Sequence, residues 1–537
     1  MFAENRASKL ATLAVTCIGF FMVLLDASIV TVALPTIQRD LHAQLSDLQW
    51  VVDAYTLPFA VLLLTAGTLG DRFGRKRVFL VGLVIFTVGS AVCGLAPTLG
   101  WLIAGRVLQG AGGAALSPGS LSVLAAAFTT PRERTQAIGI WSGISGIALA
   151  AGPVAGGLLI QASGWQAIFF VNVPIGVIAL LLGLRVLAES RNPAAHRLDV
   201  PGQVLAIGGL AALTYALIEG HSDGWGSPLI VTLFVAAAVL LLAFLMVEAR
   251  TTEPLLPLGL FKGVIFSTAN VAALIVGFAL LGTVFFIAQF FQEVQGYTAL
   301  QSGVRTLPTT IGIFIMAPLA GRVTARFGPR LPVALGAVLA GVALLLLTRL
   351  TVTTGYGDIW WNFGMFGIGI GLMLSPITSA VLAATPSARA GLASSMVNTS
   401  RQLGGVLGIA VLGALVENQE ASNLTRNLIN LHIPVRLSDT IANTIATAGA
   451  NASAAPLHLP ARLPLPNAVL HEVIGKSFAD ALHPSFVTSA VALLCVALLA
   501  AALLGRGGHI TTHGAASSEH AAQPPVAAEA QQFTQRP

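Results

Sequence analysis

The amino-acid sequence predicts an all-α integral membrane protein with 14 transmembrane helices in a 6+2+6 arrangement. Three observations lead to this fold class: the composition, a series of long apolar runs and an internal repeat. Of the 537 residues, 55% are hydrophobic and 9% are charged, whereas about 25% of the residues in a soluble domain are charged. This composition excludes an ordinary soluble enzyme. The net charge of +6 is spread between the apolar runs, so the sequence has no basic domain of the kind that binds nucleic acid.

The apolar runs, separated by short polar or Gly/Pro-containing segments, give the predicted spans in order. A bilayer core about 30 Å thick requires roughly 20 residues per spanning helix, and no run alternates strictly between apolar and polar residues as a membrane β-strand does. The first run is longer than a signal-peptide core, so we predict that it is retained as a helix. The runs lie near residues 10–35, 47–70, 78–97, 99–126, 135–160, 167–187, 201–219, 228–249, 264–291, 299–321, 331–351, 359–383, 390–416 and 485–505.

The distribution of basic residues between the spans predicts the orientation. If the N-terminus is cytoplasmic, 19 Lys and Arg residues lie in cytoplasmic segments, against only Arg39 and Arg349 in the short outer segments. Positive charge is retained on the cytoplasmic side, so both termini are predicted to be cytoplasmic. The long segment 417–484 is predicted to be an outer loop, and loops of this length are largely exempt from the rule.

A short motif occurs twice, which indicates a duplicated six-helix unit. The Gly, Arg, Phe and Gly residues of segment 67–74 recur 254 residues later in segment 321–328. Parallel repeats of this kind enclose a central site near the middle of the bilayer. The predicted organisation is a cytoplasmic N-terminal segment (1–9), a six-helix bundle (10–187), a two-helix insert (201–249), a second six-helix bundle with the outer loop (264–505), and a disordered cytoplasmic tail (506–537).

Three charged residues inside the spans are the main candidates for chemistry. Asp26 lies about 14 Å below the outer end of span 1 and Arg106 about 10 Å below that of span 4, so their similar depths predict an ion pair. Protonation of Asp26 would release Arg106, which is the elementary step of a proton-driven switch; the alternative is a static pair that only fixes helix packing. Asp53 is a candidate second proton site or a carboxylate that attracts cations, or else it lies at a solvated helix end.

Other polar residues inside the spans are candidate cavity residues. Gln109 shares one helix face with Arg106, Gly110 and Gly113, and this face is predicted to approach span 1 closely. Arg401 lies about 16 Å from the inner start of span 13, close to the middle of the membrane. Two further residues, Arg305 and Glu219, lie near span ends and are predicted to reach the interface with their side chains.

Two glycine-containing motifs are candidates for conformational roles. The first follows span 2, where Asp71 is predicted to pair with neighbouring arginines or with a helix N-terminus and to act as a latch; its residues are Gly67, Asp71, Arg72, Gly74 and Arg75. The second is in span 5, where small residues permit tight packing and a proline removes a backbone hydrogen bond, although a kinked helix is common in any membrane bundle. Its residues are Gly143, Gly152, Pro153, Gly156 and Gly157.

The sequence gives no sign of a metal, a cofactor or an ATP site. All ten histidines lie outside the predicted spans, and none forms a convincing ligand cluster. The only Gly-Lys-Ser sequence has Leu470 where a phosphate-binding loop has its first glycine. The three cysteines lie in apolar runs and carry no disulfide or zinc pattern. We therefore expect no enzyme, and the membrane potential would supply the work.

Taken in order, these motifs resemble those of the 14-helix drug:proton antiporters of the major facilitator superfamily, the EmrB/QacA type. The resemblance covers nearly all of residues 10–505. The strings that carry it are LDASIVTVALP in span 1, GTLGDRFGRKR after span 2, the Arg106–Gly113 stretch, the Gly-Pro stretch of span 5, GWQAIFFVNVPIG at 164–176 and NTSRQLGGVLGIAVLGAL at 398–415.

The resemblance implies a proton-driven multidrug exporter of lipophilic, often cationic compounds in the inner membrane. It further implies that Asp26 and Arg106 couple protons, that the Gly152-Pro153 helix favours antiport, that Asp71 belongs to a gating loop, and that a periplasmic adaptor protein is a candidate partner. The second copy of the motif has Ala325 in place of Asp71, and spans 9–14 contain no carboxylate in their middle. Proton coupling is therefore predicted to lie in the first half of the chain. The same lack of carboxylates predicts that the substrates are neutral or singly charged. The alternatives are an exporter of one metabolite or siderophore and a non-transporting membrane sensor or scaffold.

Overall fold

The computed structural model describes residues 6–128, 130–191, 198–251, 253–386, 389–448 and 467–504, and all regular secondary structure in these ranges is helical. The helices are α1 (Arg6–Leu41), α2 (Leu45–Phe73), α3 (Arg75–Gly94), α4 (Leu99–Ala127), α5 (Pro131–Ser163), α6 (Ala167–Phe170), α7 (Asn172–Val186), α8 (Val200–Ile218), α9 (Pro228–Arg250), α10 (Leu258–Phe261), α11 (Val264–Gln289) with a π-helical turn (Phe290–Val294), α12 (Ala299–Phe327), α13 (Arg330–Leu347), α14 (Tyr356–Ala383), α15 (Ala390–Asn430), α16 (Val435–Ala448) and α17 (Asn467–Leu503).

Several helices begin at local capping signals. The Asp199 carboxylate accepts a hydrogen bond from the Gly202 amide (2.9 Å) at the start of α8. At the start of α12, the Thr298 hydroxyl accepts from the Gln301 amide (3.2 Å) and the Gln301 side chain accepts from the Thr298 amide (3.1 Å). Such caps satisfy amides that have no partner inside the helix, so the ends of apolar helices are fixed by short polar sequences.

The number of long helices agrees with the predicted fold class. By length and apolar composition, 13 helical segments of the described chain could cross a membrane, α6 and α7 being counted together. Helix α4 also has a spanning length of 29 residues, but its Arg106, Gln109 and glycines make it less apolar. With α4 included, the described ranges contain the 14 predicted segments.

The helices form two bundles joined by a helix pair. In the first bundle, α1 to α7, the closest neighbours include α3 with α4 and α1 with α5; in the second, α11 to α17, they include α12 with α14 and α11 with α15. The pair α8 and α9 pack together, and α8 also contacts α2 and α15. Between the bundles, α5 packs against α12 and α2 against α15. This is the 6+2+6 arrangement that the repeat predicts.

The predicted outer loop 417–484 is largely helical in the structure. Helix α15 continues to Asn430, and α17 begins at Asn467 instead of near residue 485; segment 449–466 lies outside the described residues. The apolar run ends at Val416, but the helix continues because Val416, Glu420, Leu424 and Leu428 recur every four residues on one buried face. Glu417 and Glu420 are therefore buried helical residues beyond the predicted end of span 13, and not residues of an outer loop.

The first glycine motif is also more helical than a loop. Gly67, Asp71 and Arg72 belong to α2, Arg75 is the first residue of α3, and Gly74 alone separates the helices. Gly74 has φ 114°, a left-handed backbone conformation that favours glycine. Of the other predicted segments, residues 1–5 and the tail 506–537 lie outside the described residues.

Candidate functional site

A cavity of about 1960 Å³ lies between the two bundles. Its walls come from α1, α2, α4 and α5 on one side and α11, α12, α14 and α15 on the other. We call the end of the bundle that carries Arg72, Arg75, Lys76 and Arg77 the basic end. The cavity runs from this end, where Asp71 lies on its wall, to Arg106, Phe285 and Arg401 in the middle of the helices.

At the opposite end of the molecule, contacts between the bundles close the cavity. The Gln49 side chain of α2 donates to Glu417 Oε1 of α15 (3.0 Å), and Gln292 of the π-helical turn donates to the Val32 carbonyl of α1 (3.0 Å). A Cβ atom on Gly157 of α5 would lie 2.3 Å from Leu300 Cα of α12. The structure is therefore open at the basic end and closed at the other.

Next to the cavity, Asp26 and Arg106 form a fully buried ion pair. Arg106 Nη1 donates to Asp26 Oδ2, while Gln109 Nε2 (2.7 Å) and Asn172 Nδ2 (3.2 Å) donate to Asp26 Oδ1. Arg106 Nε donates to the Val51 carbonyl (2.9 Å). Helices α1, α4 and α7 thus meet at one carboxylate, and α2 joins them through Arg106. The structure brings together the two charges whose depths match in the sequence.

A second layer of side chains holds this pair. Gln109 Nε2 also donates to the Ser90 hydroxyl (2.8 Å), and the Arg106 guanidinium lies 4.3 Å from the centre of the Tyr55 ring. The Tyr55 hydroxyl donates to the Val23 carbonyl (3.1 Å). Removing one partner of such a pair typically costs about 3–5 kcal/mol of stability, because the other charge stays buried.

Two predicted site residues lie elsewhere than expected. Gln109 is buried within the network instead of lining the cavity. Asp53 is fully buried, and its two carboxylate oxygens have no hydrogen-bond partner among the described residues. It therefore does not lie at a solvated helix end, and it does not line the cavity. The neighbouring residues Val52 and Tyr55 line the cavity instead.

The glycines of α4 face helices other than the one predicted. A Cβ atom on Gly110 would lie 2.3 Å from the Tyr55 carbonyl oxygen, and one on Gly113 would lie 3.1 Å from Phe59. Both contacts are to α2, so Gly110 and Gly113 pack on α2, whereas Arg106 and Gln109 of the same face reach Asp26 of α1 as predicted. This close approach lets the Val51 carbonyl reach Arg106.

The glycines of α5 contact both bundles. A Cβ on Gly152 would lie 1.8 Å from Ser28 Oγ, and one on Gly156 would lie 2.7 Å from Ile29 Cγ1, both on α1. Gly303 of α12 lies against Pro153, whose carbonyl oxygen would be 2.2 Å from an added Cβ. Gly143 has open space around it and lines the cavity. The small residues therefore allow α5 to pack between α1 and α12.

At the basic end, two carboxylates organise the junction of α2 and α3. Asp71 Oδ1 accepts from Arg75 Nε (3.0 Å) and lies 2.9 Å from Arg75 Nη2, which is the pairing that the motif predicts. Glu189 accepts from the Lys76 amide (3.1 Å), so Glu189 and not Asp71 is the carboxylate at the N-terminus of α3. Carboxylates are favoured at this end of a helix dipole.

The remaining charged candidates have specific contacts. Arg401 lines the cavity, and its Nη2 donates to Asn398 Oδ1 (2.7 Å). Arg305 lies 3.6 Å from the centre of the Tyr297 ring, and Glu219 accepts from Trp50 Nε1 (2.9 Å). Both Arg305 and Glu219 thus contact aromatic side chains at the opposite end. No group of three or more metal-ligating side chains occurs within the described residues.

Three residues of the site were not assigned a role from the sequence. Asn172 belongs to the GWQAIFFVNVPIG string, and Tyr55 follows Asp53 by two residues. Ser90 and Thr87 are the two hydroxyl-bearing residues of the largely apolar helix α3. A polar side chain within a long apolar run is the sequence feature that could have identified these residues. The sequence alone does not show which partner each side chain contacts.

The comparisons with known proteins agree with this architecture. The chain is 39% identical over 498 residues to the "Tetracenomycin C resistance and export protein" of Streptomyces glaucescens, covering 92% of this chain and 91% of the relative. It is 40% identical over 416 residues to "Multidrug resistance protein Stp" of Mycobacterium tuberculosis (strain CDC 1551 / Oshkosh), covering 77% and 76%. A solved structure of a bacterial homologue of the human lysosomal transporter Spinster, inward-facing and unoccupied, has the same fold (TM-score 0.64, 18% identity, 93% of this chain and 98% of that one). The Major Facilitator Superfamily profile matches residues 16–409, and the chain belongs to this superfamily, as its motifs predict.

Proposed function

We propose that this protein exports lipophilic, drug-like compounds in exchange for protons by alternating access. The observation that carries the proposal is the buried Asp26–Arg106 pair at the wall of a cavity that lies between two bundles and opens at one end. Relatives named for antibiotic resistance and export support the class of substrate. A large cavity with mainly apolar walls suits lipophilic compounds of varied shape.

The basic end is proposed to lie in the cytoplasm of a multi-pass protein of the inner membrane, with both termini on that side. The excess of Lys and Arg in the segments at this end supports the orientation. The state described above would then be inward-facing, and a substrate would enter from the cytoplasm or the inner leaflet. A periplasmic adaptor protein stays a prediction from the family resemblance.

The proton step follows from the chemistry of the pair. Protonation of Asp26 removes the negative charge that holds Arg106, so the guanidinium loses its ionic partner and the links between α1 and α4 weaken. Arg106 lies on the cavity wall, which connects the change in charge to the substrate space. A proton that crosses the membrane supplies about 2.3 kcal/mol per 100 mV of membrane potential.

Alternation requires the contacts at the opposite end to open while the basic end closes. Only two such hydrogen bonds, Gln49–Glu417 and Gln292–Val32, are described above, and each includes at most one charged group. Water can therefore replace them. At Gly157 and Gly303 the backbones of α5 and α12 approach closely, and such small residues provide a smooth surface for this movement.

Transport by purified protein in liposomes tests the proposal. We expect several structurally unrelated lipophilic dyes to be moved when a pH gradient is imposed, with proton movement in the opposite direction. Transport of a single chemical class would indicate the dedicated exporter instead. Absence of any gradient-driven flux from well-folded protein would overturn the proposal and favour the sensor or scaffold.

Replacing Asp71 by Asn is expected to slow transport without weakening substrate binding. Asp71 and Arg389, next to the start of α15, both lie at the mouth of the cavity, so closure of the basic end brings a carboxylate towards a cation and a helix N-terminus. A negative charge in this position stabilises the closed basic end by about 1 kcal/mol. Losing it should therefore lower the maximal rate roughly fivefold. The rate should be measured against substrate concentration, with Asp71→Glu as the charge-preserving control; a raised KM at unchanged maximal rate would contradict the latch.

A further inference from the structure

The middle of the cavity contains one cation without an ionic partner. Arg106 is neutralised by Asp26, but Arg401, which also lines the cavity, has no carboxylate within 4 Å among the described residues. Its Nη2 donates a hydrogen bond to the Asn398 amide oxygen (2.7 Å). The acidic residues on the cavity wall, among them Asp71, lie towards the basic end, so the deep part carries a net positive charge.

Close backbone packing fixes the position of Arg401. A Cβ atom on Gly277 of α11 would lie 1.8 Å from the Arg401 carbonyl oxygen, and one on Gly404 would lie 1.8 Å from the Leu274 carbonyl oxygen. Helices α11 and α15 therefore meet at their backbones beside Arg401. This packing holds the backbone at Arg401, and the bond to Asn398 orients the guanidinium, so less entropy is lost when a ligand binds.

Arg401 stands at the deep end of a polar stripe on α15. Ser394, Ser395, Asn398 and Gln402 also line the cavity, at spacings that place them on one helix face. Aromatic residues occupy other parts of the wall, including Phe20, Tyr55, Phe59, Trp141, Phe285 and Phe314. The space thus combines a fixed guanidinium with broad aromatic surfaces.

From this geometry we infer that Arg401 is a substrate-binding residue for the acidic oxygen of an aromatic compound, such as a carboxylate, a sulfonate or a phenolate. The inference rests on the proposed export function and specifies its substrate class. It differs from the cationic preference that the family resemblance implies.

The physical reason is desolvation of Arg401 by the substrate. In the empty cavity water can solvate the guanidinium, but a lipophilic compound displaces that water and leaves a buried charge unpaired unless it brings a partner. An anionic oxygen forms charge-assisted and often bidentate hydrogen bonds with arginine. A cation bound beside Arg401 would be repelled, and an inside-negative membrane potential would favour the outward movement of an anion.

Two fluorescent probes with nearly the same aromatic body test the inference. 8-Anilinonaphthalene-1-sulfonate carries one negative charge, whereas N-phenyl-1-naphthylamine lacks the sulfonate. Binding of each probe to the full-length protein in lipid nanodiscs should be measured by titration, with the signal of empty nanodiscs subtracted. We expect the wild-type protein to prefer the sulfonate probe.

Arg401→Gln should lower affinity for the sulfonate probe at least tenfold and change affinity for the neutral probe less than twofold. Arg401→Lys should keep most of the sulfonate binding because it retains the charge, and it also shows that the position tolerates substitution. Equal loss of both probes in Arg401→Gln would assign a structural role and overturn the inference, as would unchanged sulfonate binding or no sulfonate binding by the wild type.

The binding assay separates this inference from the proposed transport. The assay needs no pH gradient and no turnover. If the sulfonate probe binds in a manner that depends on Arg401 but no gradient-driven flux is seen, export is refuted and the anion site stands. Conversely, Arg401→Gln could leave both the gradient-driven flux of neutral and cationic dyes and the binding of the sulfonate probe unchanged. That result would support the export function and refute the anion site.

Discussion

Replacing Asp26 by Asn is expected to reduce proton-driven export to the background of empty liposomes. Asn keeps the size of the side chain and can still accept from Gln109 and Asn172, which bond the same carboxylate oxygen in the native protein. It cannot take up and release a proton, so the step that frees Arg106 is lost. Flux of a transported dye under an imposed pH gradient is the measurement.

The stability of this variant must be measured alongside its transport. Asp26→Asn leaves Arg106 buried without its counter-ion, which costs about 3–5 kcal/mol, so a loss of flux could come from unfolding. The matched control is the double variant Asp26→Asn/Arg106→Gln, which removes both charges. We expect it to recover most of the thermal stability but none of the coupled flux. Wild-type gradient-driven flux in a folded Asp26→Asn protein would refute the proton role.

The sequence was sufficient to predict the helices and the central ion pair, because both depend on local or one-dimensional information. Long apolar runs must span the bilayer as helices, since their backbone groups have no other partner there. The rise per residue then converts sequence position into depth, which placed Asp26 and Arg106 at similar levels. Depth alone was enough because only a few charges lie inside the spans.

Features that depend on rotation of one helix against another could not be predicted. The face of α4 that carries Gly110 packs on α2, a choice that is set by the whole bundle and not by the sequence of α4. For the same reason the sequence did not place Asn172 at the carboxylate of Asp26, or Gln109 away from the cavity. The depth of a residue in the membrane depends on its own helix alone, whereas its contact partner depends on how two helices pack together.

The continuation of α15 shows a different limit. Apolar content defined the end of span 13, but the helix is extended by an amphipathic stretch that buries Leu424 and Leu428 against Ile441 and Leu470. A hydropathy pattern detects lipid-facing helices and underestimates helices that pack on other protein. Hydropathy therefore predicts a loop at Glu417, although Glu417 accepts a hydrogen bond from Gln49 across the two bundles.

Replacing Gly157 by Val is expected to prevent the closed arrangement at the opposite end. A Cβ atom at this position would lie 2.3 Å from Leu300 Cα and 2.7 Å from the Leu300 amide nitrogen, and backbone atoms cannot move aside as a flexible side chain does. Helices α5 and α12 must separate, at a cost of about 1–3 kcal/mol for overpacking, which is roughly a 5- to 150-fold shift away from the closed arrangement. Transport should fall accordingly because the cycle passes through this state.

Accessibility of a cysteine distinguishes this effect from simple loss of stability. In a protein whose Cys17, Cys93 and Cys495 are replaced by Ala, a Val52→Cys reporter on the cavity wall should react slowly with a membrane-impermeant thiol reagent added outside, and faster when Gly157→Val is added. Gly100→Val is the matched control, because the position of Gly100 in α4 has no atom within 4 Å of an added Cβ. Unfolding would expose the reporter from both sides, whereas a blocked closure exposes it from the outside and lowers its reaction from the cytoplasmic side. If Gly157→Val left both the labelling and the flux at the level of the Gly100→Val control, close packing of α5 on α12 would not be what closes the opposite end.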